Sequence, residues 1–293
     1  MTTLFEQISS YLPEQYYPNK DSISSAFLTN YGSGGQSIWS KTGNFPILNP
    51  TGGPDGQGSW IFRTGNGSGN YDALRITNSS GGTNAVANPE ITDSDYSAGV
   101  WFKIPPNDGT GTENTVNIFR VGGEVAATLV ALDAQPGDVG TLVFFNPSTR
   151  TTETYDDDQW HYYATRVYFN GTNYTREIYL DGALWLTENV EDTNSLNYVE
   201  MGDNFIINPT GYASQELAHV YIAQSQAITA ADIATIWSVG NPPVSTVYDV
   251  KHYDGTAWQQ SIGQKYWDGT SWVDWNAVAE PQRWDGAQWV NLL

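Results

Sequence analysis

From residue 59 onward, apolar and polar positions alternate in short runs instead of recurring every three or four residues. Ser59-Trp60-Ile61-Phe62 and Ala73-Leu74-Arg75-Ile76 read as strands. In Tyr96–Ile104, Ala98, Val100 and Phe102 fall on one face, and Gly99, Trp101 and Lys103 on the other. Pro105-Pro106 ends that run, since proline cannot donate to a ladder. Strand candidates follow at 116–121, 126–132 and 142–145, each bounded by glycine or proline. Residues 160–169 and 176–180 then face each other across Asn170-Gly171-Thr172-Asn173, a hairpin signal, and Asp181-Gly182 supplies a second tight turn before Ala183-Leu184-Trp185. Runs at 199–201, 204–207 and 217–222 complete the series. Many short strands with turn punctuation predict an all-β sandwich or barrel.

Helical periodicity occurs twice. Leu4, Phe5, Ile8 and Leu12 share a face before Pro13, as an arm docking on a neighbour or as a terminal turn packed on the domain. The second helix starts after Thr229, turns Ile233, Ile236 and Trp237 inward, and closes at Gly240. Residues 16–58 show no regular period. After Asn241-Pro242-Pro243 the texture changes. Tyr253-Asp254-Gly255-Thr256-Ala257-Trp258 recurs as Trp267-Asp268-Gly269-Thr270-Ser271-Trp272 and as Trp284-Asp285-Gly286-Ala287-Gln288-Trp289. Each copy sets an aromatic residue on either side of an Asp-Gly turn, the pattern of a small hairpin that must pack on its neighbours. The expected organisation is therefore an N-terminal arm and irregular lead-in at 1–44, a β domain at 45–240, and a hairpin repeat module at 241–293.

Charge narrows the function classes. The chain carries a formal net charge of −20, which disfavours nucleic acids and anionic membranes. There is no cysteine, so disulfides, thiolate metal sites and cysteine nucleophiles are excluded. The N-terminal residues show no basic start and apolar run of a signal peptide, and no stretch reaches membrane-spanning length. Aromatic residues make up 14%, a load that suits interfaces and sugar-stacking platforms.

Three pieces resemble the laminin-G-like, concanavalin-A-like jelly-roll superfamily. They are Ser97–Lys103, the pair Gln159–Ala164 with Tyr179-Leu180-Asp181-Gly182, and Glu216–Trp237. The resemblance covers about residues 45–240. It implies two antiparallel sheets with one short helix, and a structural role for His161. The family often carries an acidic residue in the closing strand, where this chain has Leu217-Ala218-His219. The C-terminal WDG repeats resemble those ending minor tail proteins of tailed phages of actinobacteria, in which laminin-G-like modules are common. That resemblance implies a virion component assembled in a host cytoplasm.

Candidate chemistry is sparse. The histidines are His161, His219 and His252. No nucleophile elbow, phosphate loop or metalloprotease motif occurs. Glycosidases need two carboxylates flanking the scissile bond, and Glu200 reads as isolated. The chain is thus expected to be non-enzymatic. Asp156-Asp157-Asp158 is either a solvated loop or a calcium site with Asp156 and Asp158 as ligands, and Asp93-Ser94-Asp95 is a similar run. Calcium is the one cofactor these acidic runs suggest. Trp258, Trp272 and Trp289 are candidates for glycan or partner contact, or else are the cores of their own hairpins. The sequons at Asn66, Asn78, Asn170 and Asn173 carry no weight without secretion.

The expectation is a structural and adhesion protein of a tailed-phage virion. It would be a minor tail protein contacting neighbouring virion subunits in a homo-oligomer or symmetric assembly, with host-surface glycans as further partners. A stand-alone carbohydrate-binding lectin and a capsid decoration protein are the alternatives.

Overall fold

The alternation at residues 96–103 is realised as a strand buried on both faces. Tyr96, Ala98, Val100 and Phe102 enter one hydrophobic cluster and Trp101 enters a second. A strand buried on both faces requires a covering layer on each side.

The computed structural model describes residues 2–13, 15–19, 27–28, 30–33, 37–43, 46–63, 72–77, 95–107, 115–122, 128–133, 139–145, 149–190, 198–202, 214–224 and 227–241, together with six short strands beyond 250. The first elements are α1 (Leu4–Ser9), β1 (Gln15–Tyr17), β2 (Phe27–Leu28), β3 (Ser37–Gly43), β4 (Ile47–Asn49), β5 (Ser59–Arg63), β6 (Asp72–Thr77) and β7 (Tyr96–Lys103). Next come β8 (Thr115–Gly122), β9 (Thr128–Asp133), β10 (Thr141–Phe145) and β11 (Thr149–Thr154). The meander follows as β12 (His161–Phe169), β13 (Tyr174–Leu180) and β14 (Ala183–Val190). β15 (Tyr198–Gly202), β16 (Ser214–Gln224) and α2 (Ala230–Gly240) complete the first unit.

The strands form two antiparallel sheets. Sheet 1 has the order β14-β13-β12-β7-β16-β5-β4, with β1 also paired to β16. Sheet 2 has the order β11-β10-β9-β8-β15-β6-β3-β2. The main core lies between them and includes Phe62, Val100, Phe102, Phe119, Leu142, Tyr163, Ile178, Met201 and Leu217. A second core lies between sheet 1 and the helices. Leu4 and Ile8 of α1 and Ile233 and Ile236 of α2 meet Trp101, Tyr162, Tyr179 and Tyr221 there. The fold is an all-β jelly-roll sandwich backed on one sheet by two short helices.

Of residues 1–44, read as arm and lead-in, the described elements belong to this sandwich. α1 closes the second core, β1 joins sheet 1, and β2 and β3 join sheet 2. Periodicity missed these strands because β1 and β2 span three and two residues, and β3 reads Ser-Ile-Trp-Ser-Lys-Thr-Gly. β11, Thr-Arg-Thr-Thr-Glu-Thr, has no apolar residue to show a period. The strand expected at 204–207 lies outside the described residues.

β16 bends where its neighbours change. Ser214–Leu217 pair with β5 and Val220–Ile222 with β1, while β7 runs along the other side. Between Ala218 and Tyr221 the register against β7 slips by one residue. The extra residue is His219, at φ +50°, the left-handed conformation that a bulge of this kind normally gives to glycine.

The second unit spans Pro243–Leu293. Its strands are β17 (Lys251–Tyr253), β18 (Trp258–Gln260), β19 (Lys265–Trp267), β20 (Trp272–Asp274), β21 (Gln282–Trp284) and β22 (Trp289–Asn291). They pair as three separate antiparallel hairpins, β17-β18, β19-β20 and β21-β22.

Candidate functional site

The acidic loop sits before β12, at one end of sheet 1. Asp181 and Gly182 both have positive φ, +50° and +76°, and link β13 to β14 in a two-residue turn of the mirror-image type. That turn aims the Asp181 carboxylate back at β12. Its Oδ1 accepts the Tyr162 backbone N–H at 2.8 Å and its Oδ2 accepts from His161 Nδ1 at 2.9 Å. The other ring nitrogen, Nε2, lies 3.1 Å from Asp157 Oδ1. The edge of Tyr155 closes on the imidazole at 4.9 Å between centroids. Burial would lower the His161 pKa, but the hydrogen bonds and charges of Asp181 and then Asp157 outweigh it and hold the pKa above the ordinary histidine value. The Tyr155 phenol is pushed up to about 12, first by burial and then by Asp181 and Glu153. His161 therefore staples the loop to the turn.

Asp156 and Asp158 turn to different partners. Asp156 Oδ2 accepts the Asn107 backbone N–H at 3.3 Å, and its Oδ1 lies so close to Gly140 that a Cβ there would sit 2.1 Å away. The Asp158 carboxylate faces the Lys103 ammonium at 3.3 Å. Lys103 also reaches Glu216 at 3.9 Å, and Glu216 accepts from Ser59 at 2.7 Å and Asn49 at 3.2 Å. The result is a line of alternating charge across the strand ends. Among the described residues no three acidic or histidine side chains converge on a point able to hold a metal ion. Asp95 Oδ1 accepts the Phe169 N–H at 2.9 Å, and Asp93 lies outside the described residues.

His219 is fully buried and bonded on both nitrogens. Nδ1 lies 2.7 Å from the Tyr16 hydroxyl and Nε2 lies 3.2 Å from Asp55 Oδ1. Burial would raise the Asp55 pKa; the His219 hydrogen bond and charge, with the Gln57 N–H, bring it below the usual carboxylate range. This group ties the 50–58 loop to the bulge of β16. The third histidine, His252, lies in β17 opposite Gln259.

Glu200 is buried, and its register partners on the two neighbouring strands are Arg120 and Arg75. In the second unit, Trp258, Trp272 and Trp289 each open the return strand of a hairpin. Their register partners are Tyr253, Trp267 and Trp284, so each hairpin sets a tryptophan opposite an aromatic residue in register.

Sequence reasoning missed one cluster on the outer face of sheet 1. Arg166 and Glu177 are register partners on β12 and β13, and Arg166 Nε donates to Glu177 Oε2 at 2.6 Å. The Tyr168 hydroxyl donates to Glu177 Oε1 at 2.9 Å, and the Tyr179 hydroxyl donates to Oε2. The Arg166 guanidinium lies 4.7 Å from the centre of the Tyr168 ring. The signal was present as opposite charges at mirrored distances from the Asn170–Asn173 turn.

No family model and no curated protein matches this chain. Solved structures do match in fold. The chain shares its architecture with bacterial toxin binding domains. The botulinum neurotoxin DC binding domain in complex with rat synaptotagmin II gives a TM-score of 0.54 at 15% identity, over 78% of this chain and 52% of that one. The botulinum neurotoxin D ligand-binding domain in complex with N-acetylneuraminic acid gives 0.53 at 13%, over 79% and 52%. The binding domain of Paraclostridial Mosquitocidal Protein 1 gives 0.51 at 11%, over 74% and 50%. This chain spans about half the length of each, and the likeness is one of fold. These neighbours are binding domains, not catalytic ones.

Proposed function

We propose that this chain is a non-catalytic attachment protein of a tailed-phage virion, a minor tail protein that binds neighbouring subunits and host-surface glycans. The observation that carries the reading is the threefold hairpin in the second unit, each with an aromatic residue and a tryptophan in register. A hairpin of two three-residue strands cannot bury a core alone, so these elements need partners. The sandwich supports the same reading. Its architecture is one that toxins use for binding, including a domain seen with N-acetylneuraminic acid and one seen with synaptotagmin II. In this reading Trp258, Trp272 and Trp289 make glycan or partner contacts. Peptide mass spectrometry of gradient-purified virions tests it. The chain is expected at a fixed, low copy number per particle; recovery only from the particle-free fraction contradicts the proposal.

A further inference from the structure

α1 is short, yet it fills a place in the second core. Leu4 and Ile8 are fully buried there, in the cluster of Tyr16, Trp101, Ile233 and Ile236. Phe5 stacks on Tyr16 at 5.5 Å between centroids and meets the edge of Tyr31 at 5.7 Å. The Tyr11 hydroxyl donates to Asp232 Oδ1 on α2 at 3.2 Å. A helix of six residues is not stable alone, so α1 is ordered by the groove that receives it. Apart from α1 itself, that groove is built from residues that follow Pro13.

The link from α1 to the groove is strained. The Tyr11 and Leu12 N–H groups donate to the Ile8 and Ser9 carbonyls at 3.1 and 3.0 Å, and Leu12 turns to φ +49°. A left-handed residue just past a helix is normally glycine. Leucine is disfavoured there because its Cβ crowds the following carbonyl. The next residue is Pro13, which biases its predecessor toward extended backbone, so a second preference opposes the same turn. Little packing offsets this, since Leu12 is 72% exposed. Pro13 is buried, and its carbonyl accepts the Ser33 N–H at 2.9 Å. The strain is thus confined to one residue between two anchored segments, and an extended Leu12 removes it.

We infer that α1 is an exchangeable arm, which a second copy of this chain accepts in the same groove. With Leu12 extended, the helix leaves its own groove and enters the partner's, and the partner's helix returns the exchange in a two-fold dimer. The contacts of Leu4, Phe5, Ile8 and Tyr11 are remade between chains, so exchange loses no packing. Three extended residues, 10–12, reach roughly 10 Å, so the two bodies meet beside the hinge and the Leu12 side chains lie near the dyad. Exchange relieves two strained hinges against the cost of association, and that cost falls where an assembly holds copies close together. The arm is a property of the isolated protein and goes beyond the virion reading.

The test uses the full chain, which has no cysteine of its own. Tyr11→Cys and Asp232→Cys chains are co-expressed, purified together and treated with a short bis-maleimide. An arm in its own groove leaves each cysteine without a mate, so a linked dimer on a denaturing gel reports exchange. That dimer is expected, in a yield that rises with protein concentration. Leu12→Gly, which holds the turn without strain, is expected to lower the dimer association constant, measured by light scattering, roughly tenfold or more. Leu12→Pro, fixed at a φ of about −65°, cannot make the turn and is expected to raise the dimer fraction. No linked dimer overturns the arm, as does a linked dimer undiminished by adding Leu12→Gly. A folded Leu12→Pro chain that stays monomeric also overturns it. Loss of the arm leaves the virion reading standing, and absence from virions leaves the arm standing.

Discussion

The hydroxyl of Tyr16 lies 2.7 Å from Nδ1 of His219, a residue whose own backbone is held at φ +50°. A non-glycine residue in the left-handed region costs on the order of 1–2 kcal/mol. Here the side chain offsets that cost by joining β1, through Tyr16, to the 50–58 loop, through Asp55. His219→Gly relieves the backbone but takes the partner of the buried Tyr16 hydroxyl, worth about 1–3 kcal/mol when left unpaired, and one of the partners of Asp55. His219→Ala does both kinds of harm. Both variants are expected to lower the denaturation midpoint, with alanine the worse by about 1 kcal/mol. Urea unfolding of the three proteins checks the order, and an alanine variant as stable as the parent would refute it.

The His161 staple gives a pH dependence with a definite sign. Its pKa in the folded protein is raised, so its contribution is complete below the ordinary histidine value of about 6.5 and is lost as pH rises through the folded value. Melting temperature as a function of pH, compared between the parent and His161→Gln, isolates the effect. The difference is expected to shrink from mildly acid to alkaline pH. A difference that grows with pH would contradict the staple. Asp181→Asn removes the stronger partner and is expected to flatten the profile.

Glu177 titrates with the opposite sign. Burial would raise its pKa, but hydrogen bonds from Arg166, Tyr179 and Tyr168 hold it below the usual range. Its contribution is present above about pH 4.5 and is lost as pH falls through the depressed value. Glu177→Gln is expected to melt lower than the parent at neutral pH and to approach it in acid. Parallel melting curves across that range would contradict that stabilising role.

Gly99 is set by its neighbour across the strand. A Cβ there would stand 2.7 Å from the Tyr221 ring and hydroxyl, and Tyr221 shares a 2.6 Å hydrogen bond with Tyr162. Gly99→Ala must displace that buried pair, at about 1–3 kcal/mol. Denaturant unfolding of Gly99→Ala against Gly99→Ala/Tyr221→Phe separates the steric term from the hydrogen bond. Unchanged stability in the single variant would contradict the packing.

The sandwich was legible wherever strands were long and alternating. β7 shows its inner face plainly, with Tyr96, Ala98, Val100 and Phe102 at every second position, while β12 and β13 are marked by the turns that bound them as well as by their apolar residues. β1, β2 and β11 were not legible, since two or three residues set no period and a threonine-rich strand shows no face. Asp156, Asp157 and Asp158 form one acidic run in sequence, but in the fold Asp157 turns to His161 four residues on, while Asp156 and Asp158 reach Asn107 and Lys103, which only tertiary structure brings near. The His219 bulge was invisible for a similar reason: a one-residue slip in β16 is defined only against β7. The Arg166–Glu177 pair was legible in principle, because the Asn-Gly turn sets the hairpin register that places the two opposite each other.

As the proposed attachment component of a virion, this chain would sit exposed on the particle. A cryo-EM reconstruction of the intact particle tests it most directly. Density for the sandwich is expected on the tail exterior, with the hairpins of the second unit against a neighbouring subunit. A particle lacking this chain, or one that buries the sandwich inside the assembly, would contradict it.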